Sequence, residues 1–177
     1  MEVFQGRPAD VTGRLEKEIA VYDLLDQLDI PFRRVDHDHA DTMEMCQEID
    51  QALGQDICKN LFLCNRQKTK FYLLLMPGDK PFKTKDLSAQ IGSSRLSFGG
   101  PEDMERLLHL TPGSVTVLGL MYDPDCQVTL LIDQDLYQQT AFGCHPCINT
   151  STVQFSTADL REKLLPALGH PVTLVQL

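Results

Sequence analysis

Two short stretches carry side chains that can do chemistry. Lys59-Asn60 stands at the mouth of an apolar run, Leu61-Phe62-Leu63. Far along the chain, Gly143-Cys144-His145-Pro146-Cys147-Ile148-Asn149-Thr150 sets an imidazole and a carboxamide in a loop bounded by Gly and Pro. A lysine beside a strand start reaches a phosphate or a carboxylate as a point charge. Asn60 both donates and accepts. A histidine in a constrained loop orients a hydroxyl or a water, or donates to a carbonyl. Asn149 is its companion four residues on. Brought together, these groups would hold a small polar ligand. Each also has a plainer reading. Lys59 can be a solvent-facing lysine that protects a strand edge. His145 can be a loop histidine bonded to backbone, and Asn149 a turn residue.

Cys144-x-x-Cys147 matches a redox or zinc-ligand spacing. A zinc site needs further ligands, and Cys58 and Cys64 have the wrong internal spacing for a knuckle. A thioredoxin-like pair should follow an early strand and open a helix, whereas this one lies late and Asn149 to Thr152 does not read as helix. His37-x-His39, among Asp36, Asp38 and Asp41, reads as a solvated turn. No nucleophile elbow and no GxxxxGK phosphate loop is present. The reading is therefore a site with no metal and no cofactor.

The elements that must position these residues follow from periodicity. Leu15, Ile19, Tyr22 and Leu25 recur at helical spacing, with Thr12 as the expected cap and Ile30-Pro31 as the end. Phe32 to Val35 reads as a strand. Asp41 or Thr42 opens a helix that closes near Gly54. Lys59 to Cys64 and Lys70 to Met76 read as a hairpin around a polar turn. A helix covers Thr84 to Ile91 and stops at Gly92. Arg95 to Phe98 is a short strand, and Pro101 sits in the first turn of the next helix. Ser114 to Leu118, Gln127 to Ile132 and Ser151 to Phe155 read as strands. Ser156 or Thr157 caps a last helix closed by Gly169, and Val172 to Leu177 is a final strand. Strands and helices alternate without a βαβ rhythm. That predicts an α+β fold, one domain over residues 1–177, with a central mixed curved β-sheet and surrounding helices.

The bulk properties agree with that size. The chain has 177 residues, 42% apolar and 23% charged, which suits one sizeable core. No apolar run approaches the roughly 20 residues that span a bilayer, and the N-terminus lacks the pattern of a signal peptide. A cytoplasmic protein without a membrane partner is expected, its six cysteines free thiols. The net charge is −9, yet Lys59 to Arg95 holds eight basic residues and two acids, a local +6 that leaves −15 elsewhere. Such asymmetry suits contact with a polyanion on one face, or simply a solvated hairpin tip.

The order of several motifs resembles the YbaK-like aminoacyl-tRNA deacylases, closest to their freestanding prolyl-tRNA editing members. The matching pieces are Lys59-Asn60-Leu61-Phe62-Leu63, Arg95-Leu96-Ser97-Phe98, Thr111-Pro112-Gly113-Ser114-Val115-Thr116, Gly119-Leu120, His145-Pro146 with Asn149-Thr150, Ser156-Thr157-Ala158-Asp159-Leu160 and Gly169-His170. They run from about Leu15 to the C-terminus. The resemblance implies hydrolysis of the ester between a wrong amino acid and the 3′ ribose of tRNA, without metal and with help from the ribose hydroxyl. It implies that Lys59 holds the substrate end, that His145 shapes the pocket or positions reacting groups, and that the Gly113 loop brings backbone amides to the ester. Asn60, Ser97, Ser114, Gly119 and Asn149 fall on motifs implied to bind substrate. The family loop often reads Gly-x-x-x-Pro, whereas here Val117 replaces the proline that would fix φ.

That resemblance implies a trans-editing enzyme for alanyl-tRNA(Pro), with mischarged tRNA as partner and prolyl-tRNA synthetase as a further candidate. An aminoacyl ester is already activated, so positioning a water and stabilising an oxyanion suffice. A small pocket excludes prolyl by size, which a synthetase cannot do against a smaller side chain. The rivals are a deacylase for cysteinyl-tRNA(Pro) or seryl-tRNA, a non-catalytic tRNA- or synthetase-binding module, and, more distantly, a thiol oxidoreductase built on Cys144 and Cys147.

Overall fold

Local signals set most of the elements in the computed structural model, which describes residues 1–177. The chain opens with β1 (Phe4–Gln5), α1 (Glu16–Gln27) and β2 (Arg33–Asp36). Next comes α2 (Met43–Leu53), where the Thr42 hydroxyl accepts from Met45 N–H at 3.2 Å. Gly54, at φ 72°, ends it in the left-handed conformation that glycine adopts freely. The hairpin strands are β3 (Lys59–Cys64) and β4 (Phe71–Met76). Then α3 (Thr84–Ile91), β5 (Ser97–Phe98) and α4 (Pro101–Leu108) follow, the last with proline in its first turn. A 3₁₀ turn over Val117–Tyr122 precedes β6 (Val128–Asp133), and β7 (Ala141–Cys144) and β8 (Ser151–Ser156) come next. The C-terminal helix is α5 (Thr157–Asp159) and α6 (Leu165–Leu168) joined by a π turn over Leu160–Leu164. Pro166 lacks the N–H that would continue the ladder, and the wider turn absorbs the break. β9 (Val172–Val175) ends the fold.

The strands form two sheets. A mixed five-stranded sheet runs β5-β3-β4-β6-β9, with β4, β6 and β9 parallel and the β3–β4 hairpin antiparallel. An antiparallel sheet runs β1-β2-β8-β7. Side chains alternate across the five-stranded sheet. Phe62, Cys64, Leu73, Leu75, Leu130 and Ile132 enter the main core, where they meet α1, α4 and the C-terminal helix. Leu63, Tyr72, Leu74, Met76 and Leu131 form a second core beneath Leu87 of α3. The chain is thus an α+β fold with a mixed sheet and surrounding helices, extended by a second sheet that periodicity did not reveal.

Two expectations change. Thr12 is not the cap of α1: the N-cap is Leu15, with no capping side chain. Ser114 to Leu118 is not a strand. Gly113 takes φ 89°, Ser114 folds back on Thr111, and Thr116 caps the 3₁₀ turn by accepting from Leu118 N–H. The apolar residues of this stretch serve the core without joining a sheet. Val117 is fully buried in it, so packing holds the loop where a proline would otherwise stiffen it. Gly169-His170 has a structural part as well. His170 Nε2 meets the buried Asp123 carboxylate at 2.9 Å, and Asp123 also accepts from Gln127 and Val128 N–H at the start of β6.

Candidate functional site

The two chemical stretches meet through β7. Cys58, just before β3, donates from Sγ to the Gly143 carbonyl at 3.5 Å, and Ile57 packs against Gly143. Asn60 turns its amide back on Cys58, while its Oδ1 is buried without a protein partner. One residue after Gly143, the Cys144 thiol lies beside the Thr116 hydroxyl. The Thr111–Thr116 loop therefore sits against β7. It also reaches Asn149: a Cβ on Gly113 would stand 3.0 Å from Asn149 Nδ2 and 3.5 Å from Asp41 Oδ1. Gly113 N–H donates to no protein group. A glycine is needed there for both the positive φ and the close approach.

Asn149 is locked in place. Its Nδ2 donates to Asp41 at 2.8 Å, and its Oδ1 accepts from Ala40 N–H at 3.0 Å. Around it opens a cleft of about 450 Å³, lined among others by Thr111, Pro112, Asp41, His39, Arg14 and Lys17. Lys59, Asn60 and His145 do not line this cleft.

His145 is held by β8. Its Nδ1 lies 2.8 Å from the Ser151 carbonyl, which can only accept, so Nδ1 carries the proton. Burial pushes its pKa below the ordinary value, outweighing the bond to Ser151. The neutral ring leaves Nε2 as an acceptor with no hydrogen bond inside the protein. His37 stands 6.0 Å away, centroid to centroid. Its Nδ1 donates to the Asp38 carbonyl, so its Nε2 accepts from the Thr152 hydroxyl at 2.9 Å.

Behind Ser151 lies an ionic network. Ser151 Oγ lies 3.0 Å from both Asp36 and the Val35 carbonyl, two acceptors that share its one proton. Asp36 also accepts from Arg14 and Arg34. Burial alone would raise its pKa, but these donors win and hold it at about 2. Arg14 continues to the buried Glu18, which accepts from Tyr22 as well. From the sequence, Asp36 and Asp41 read as parts of a solvated turn. The structure instead makes Asp36 the anchor of the Ser151 support and Asp41 the anchor of Asn149. Neither role has a sequence signal, because the partners lie more than a hundred residues away.

The remaining candidates scatter. Lys59 is half-buried and donates to the Lys80 carbonyl, with no carboxylate partner. Lys80 itself is neutralised by Asp133 and Asp135. Ser114 is buried and bonds Thr111 at 2.8 Å, shaping the Gly113 turn. Gly119 is a packing glycine, since a Cβ there would strike Leu110 at 2.6 Å. Ser97 pairs with Cys64, five residues along β3 from Lys59, roughly 17 Å away. Cys144 and Cys147 are buried free thiols that burial pushes up to about 12. They are protonated at neutral pH and poor nucleophiles or ligands as they stand.

The model for the aminoacyl-tRNA editing domain matches residues 37–163. The chain belongs to this family. Among similar proteins, the prolyl-tRNA editing protein ProX of Acetoanaerobium sticklandii is 32% identical over 163 residues, covering 92% of this chain and 99% of that one. Prolyl-tRNA synthetase associated domain-containing protein 1 of Danio rerio is 28% identical, covering 94% and 88%. A crystal structure of a proposed trans-editing enzyme for prolyl-tRNA synthetase superposes with a TM-score of 0.65 at 17% identity, covering 92% of this chain and 98% of that one. At that identity the superposition speaks for the fold alone. In this editing domain, the matched residues include β3, the Gly113 loop, His145 and Asn149. No helix is long and apolar enough to cross a membrane.

Proposed function

We propose that the chain is a prolyl-tRNA editing enzyme, acting over residues 1–177 as one cytoplasmic editing domain, and that alanyl-tRNA(Pro) is its substrate. The observation that carries this reading is the Gly113 turn. It offers an unpaired backbone N–H between the locked Asn149 carboxamide and β7, in a chain of the aminoacyl-tRNA editing family. The ester carbonyl lies against that N–H, which stabilises the oxyanion as charge develops. Water adds to the carbonyl carbon and the ester C–O bond breaks, releasing the amino acid and restoring the 3′ hydroxyl. Neutral His145, with Nε2 free to accept, orients the attacking water or the neighbouring ribose hydroxyl. Lys59 keeps two N–H bonds beyond its contact with Lys80, enough to hold a phosphate of the substrate end. Prolyl-tRNA synthetase is the proposed protein partner, in line with the names of the relatives.

The test is deacylation of alanyl-tRNA(Pro) beside prolyl-tRNA(Pro), alanyl-tRNA(Ala), cysteinyl-tRNA(Pro) and a seryl-tRNA. Alanyl-tRNA(Pro) is expected to be hydrolysed at least tenfold faster than prolyl-tRNA(Pro). Equal rates on the two, or none on the alanyl form, sink the editing reading; preference for cysteinyl or seryl ester moves it to another substrate. Chelation is the second check. No group of three His, Cys, Asp or Glu side chains is arranged to hold a metal. Dialysis against EDTA is expected to leave the rate and the melting temperature unchanged, and loss of activity with bound zinc would reverse the reading of Cys144 and Cys147.

A further inference from the structure

The sixteen Lys and Arg side chains divide sharply. Ten bond, pair or stack within the protein. The other six are Arg66, Lys68, Lys70, Lys83, Lys85 and Arg95, all exposed and all within one span of thirty residues. The fold brings Arg66, Arg95 and Lys83 toward one edge. Arg66 N–H bonds Ser94 Oγ, which ties the hairpin tip to the segment entering β5 and sets Arg66 beside Arg95. β5 is the outer strand of the five-stranded sheet, only two residues long. Its Phe98 is 63% exposed, on a surface where a large apolar side chain is a liability unless something covers it. The Phe82 ring meets Phe98 edge-on at 6.3 Å, and Lys83 and Lys85 follow Phe82. Two residues before Phe82, the Lys80 carbonyl accepts from Lys59. Phe98 pairs with Leu63, roughly 13 Å along β3 from Lys59. Two acids, Asp79 and Asp86, lie between Lys59 and Arg95, against eight cations.

We propose that this edge is the track for the single-stranded 3′ end of the RNA, with the adjoining duplex against the hairpin tip. The proposal rests on the editing reading for the identity of the strand. Bases stack on Phe98 and Phe82, and unpaired cations on either side take the phosphates. Aromatic rings interleaved with cations are how proteins hold single strands without reading their sequence. The −15 charge of the rest of the chain repels the polyanion elsewhere and so orients it. The track ends at Lys59 and Asn60, where the terminal nucleotide turns toward the Gly113 loop.

The experiment uses uncharged RNA, so hydrolysis plays no part in it. A fluorescein-labelled acceptor-stem hairpin with a single-stranded 3′ tail, and the same hairpin cut blunt, are titrated with the full chain over a KCl series. Phe98→Ala is expected to weaken the tailed probe about 5- to 100-fold and leave the blunt probe unchanged. Arg66→Ala/Lys68→Ala/Arg95→Ala is expected to weaken both probes and lower the slope of log K against log salt by about 2. An equal effect of Phe98→Ala on both probes, or none, overturns the track. So does an unchanged salt slope in the triple variant, or wild-type protein that binds neither probe. Wild-type hydrolysis of alanyl-tRNA(Pro) alongside unaltered variant binding would sink the track and leave the editing reading intact. The reverse pattern would do the opposite.

Discussion

Gly113→Ala is expected to cut deacylation of alanyl-tRNA(Pro) about 100-fold. Gly113 sits at φ 89°, where an L side chain is strained. A left-handed conformation costs a non-glycine residue roughly 1–2 kcal/mol. The new methyl would also stand 3.0 Å from Asn149 Nδ2. Asn149 cannot give way freely, because Asp41 and Ala40 hold both ends of its carboxamide. The loop must therefore move. A shift of about 1 Å at a reacting group is worth about two orders of magnitude in rate. The loop is otherwise fixed by Ser114, Thr116 and buried Val117, so the fold should survive with a loss of roughly 1–2 kcal/mol. Single-turnover hydrolysis and urea unfolding separate the two effects. A variant with wild-type turnover would show that the Gly113 amide does not face the ester.

Much of the fold was legible because its signals are local. Thr42 caps α2, Gly54 and Gly92 end α2 and α3, and Pro101 opens α4, each as the residue type requires. The β3–β4 hairpin shows as two apolar runs around a polar turn. What escaped depends on distant partners. β7 is four residues with a glycine inside, and only pairing with β8 makes it a strand. Ser114 to Leu118 has the composition of a strand, but Gly113 and the Thr116 cap turn it into the core. The site follows the same division. Lys59, His145, Gly113 and Asn149, the residues proposed for the site, are named by motif order alone. Motif order does not name their anchors. Arg14, Asp36 and Asp41 are ordinary surface types, and only the fold sets Arg14 against Asp36, Asp36 against Ser151 and Asp41 against Asn149. Ser97 and Gly119 also stand within matching motifs; Ser97 lies at the far end of β3 from Lys59, and Gly119 packs against Leu110.

Lys59→Ala is expected to lower kcat/KM for alanyl-tRNA(Pro) about 10- to 150-fold, the equivalent of a charge-assisted contact of roughly 1.5–3 kcal/mol. An exposed lysine would be lost at almost no structural cost. This one is half-buried and bonded to the Lys80 carbonyl, so the variant should also lose about 1 kcal/mol of stability. That loss is too small to unfold an ordinary domain. Lys59 has no carboxylate within reach, unlike Lys80, which Asp133 and Asp135 neutralise. A half-buried cation left without a counter-ion is costly in the free protein and is repaid when an anion arrives. Lys59→Arg should recover only part of the rate, because a planar guanidinium cannot take the place of a point charge beside the Lys80 carbonyl. Lys163→Ala is the control. Its ammonium pairs with Asp159 and bonds the Asp29 carbonyl, and none of these residues belongs to the site. It should leave hydrolysis within about twofold of wild type. If Lys59→Ala keeps the wild-type rate, or loses it only in step with unfolding, the residue is a strand-edge lysine whose one task is to fasten the loop at Lys80.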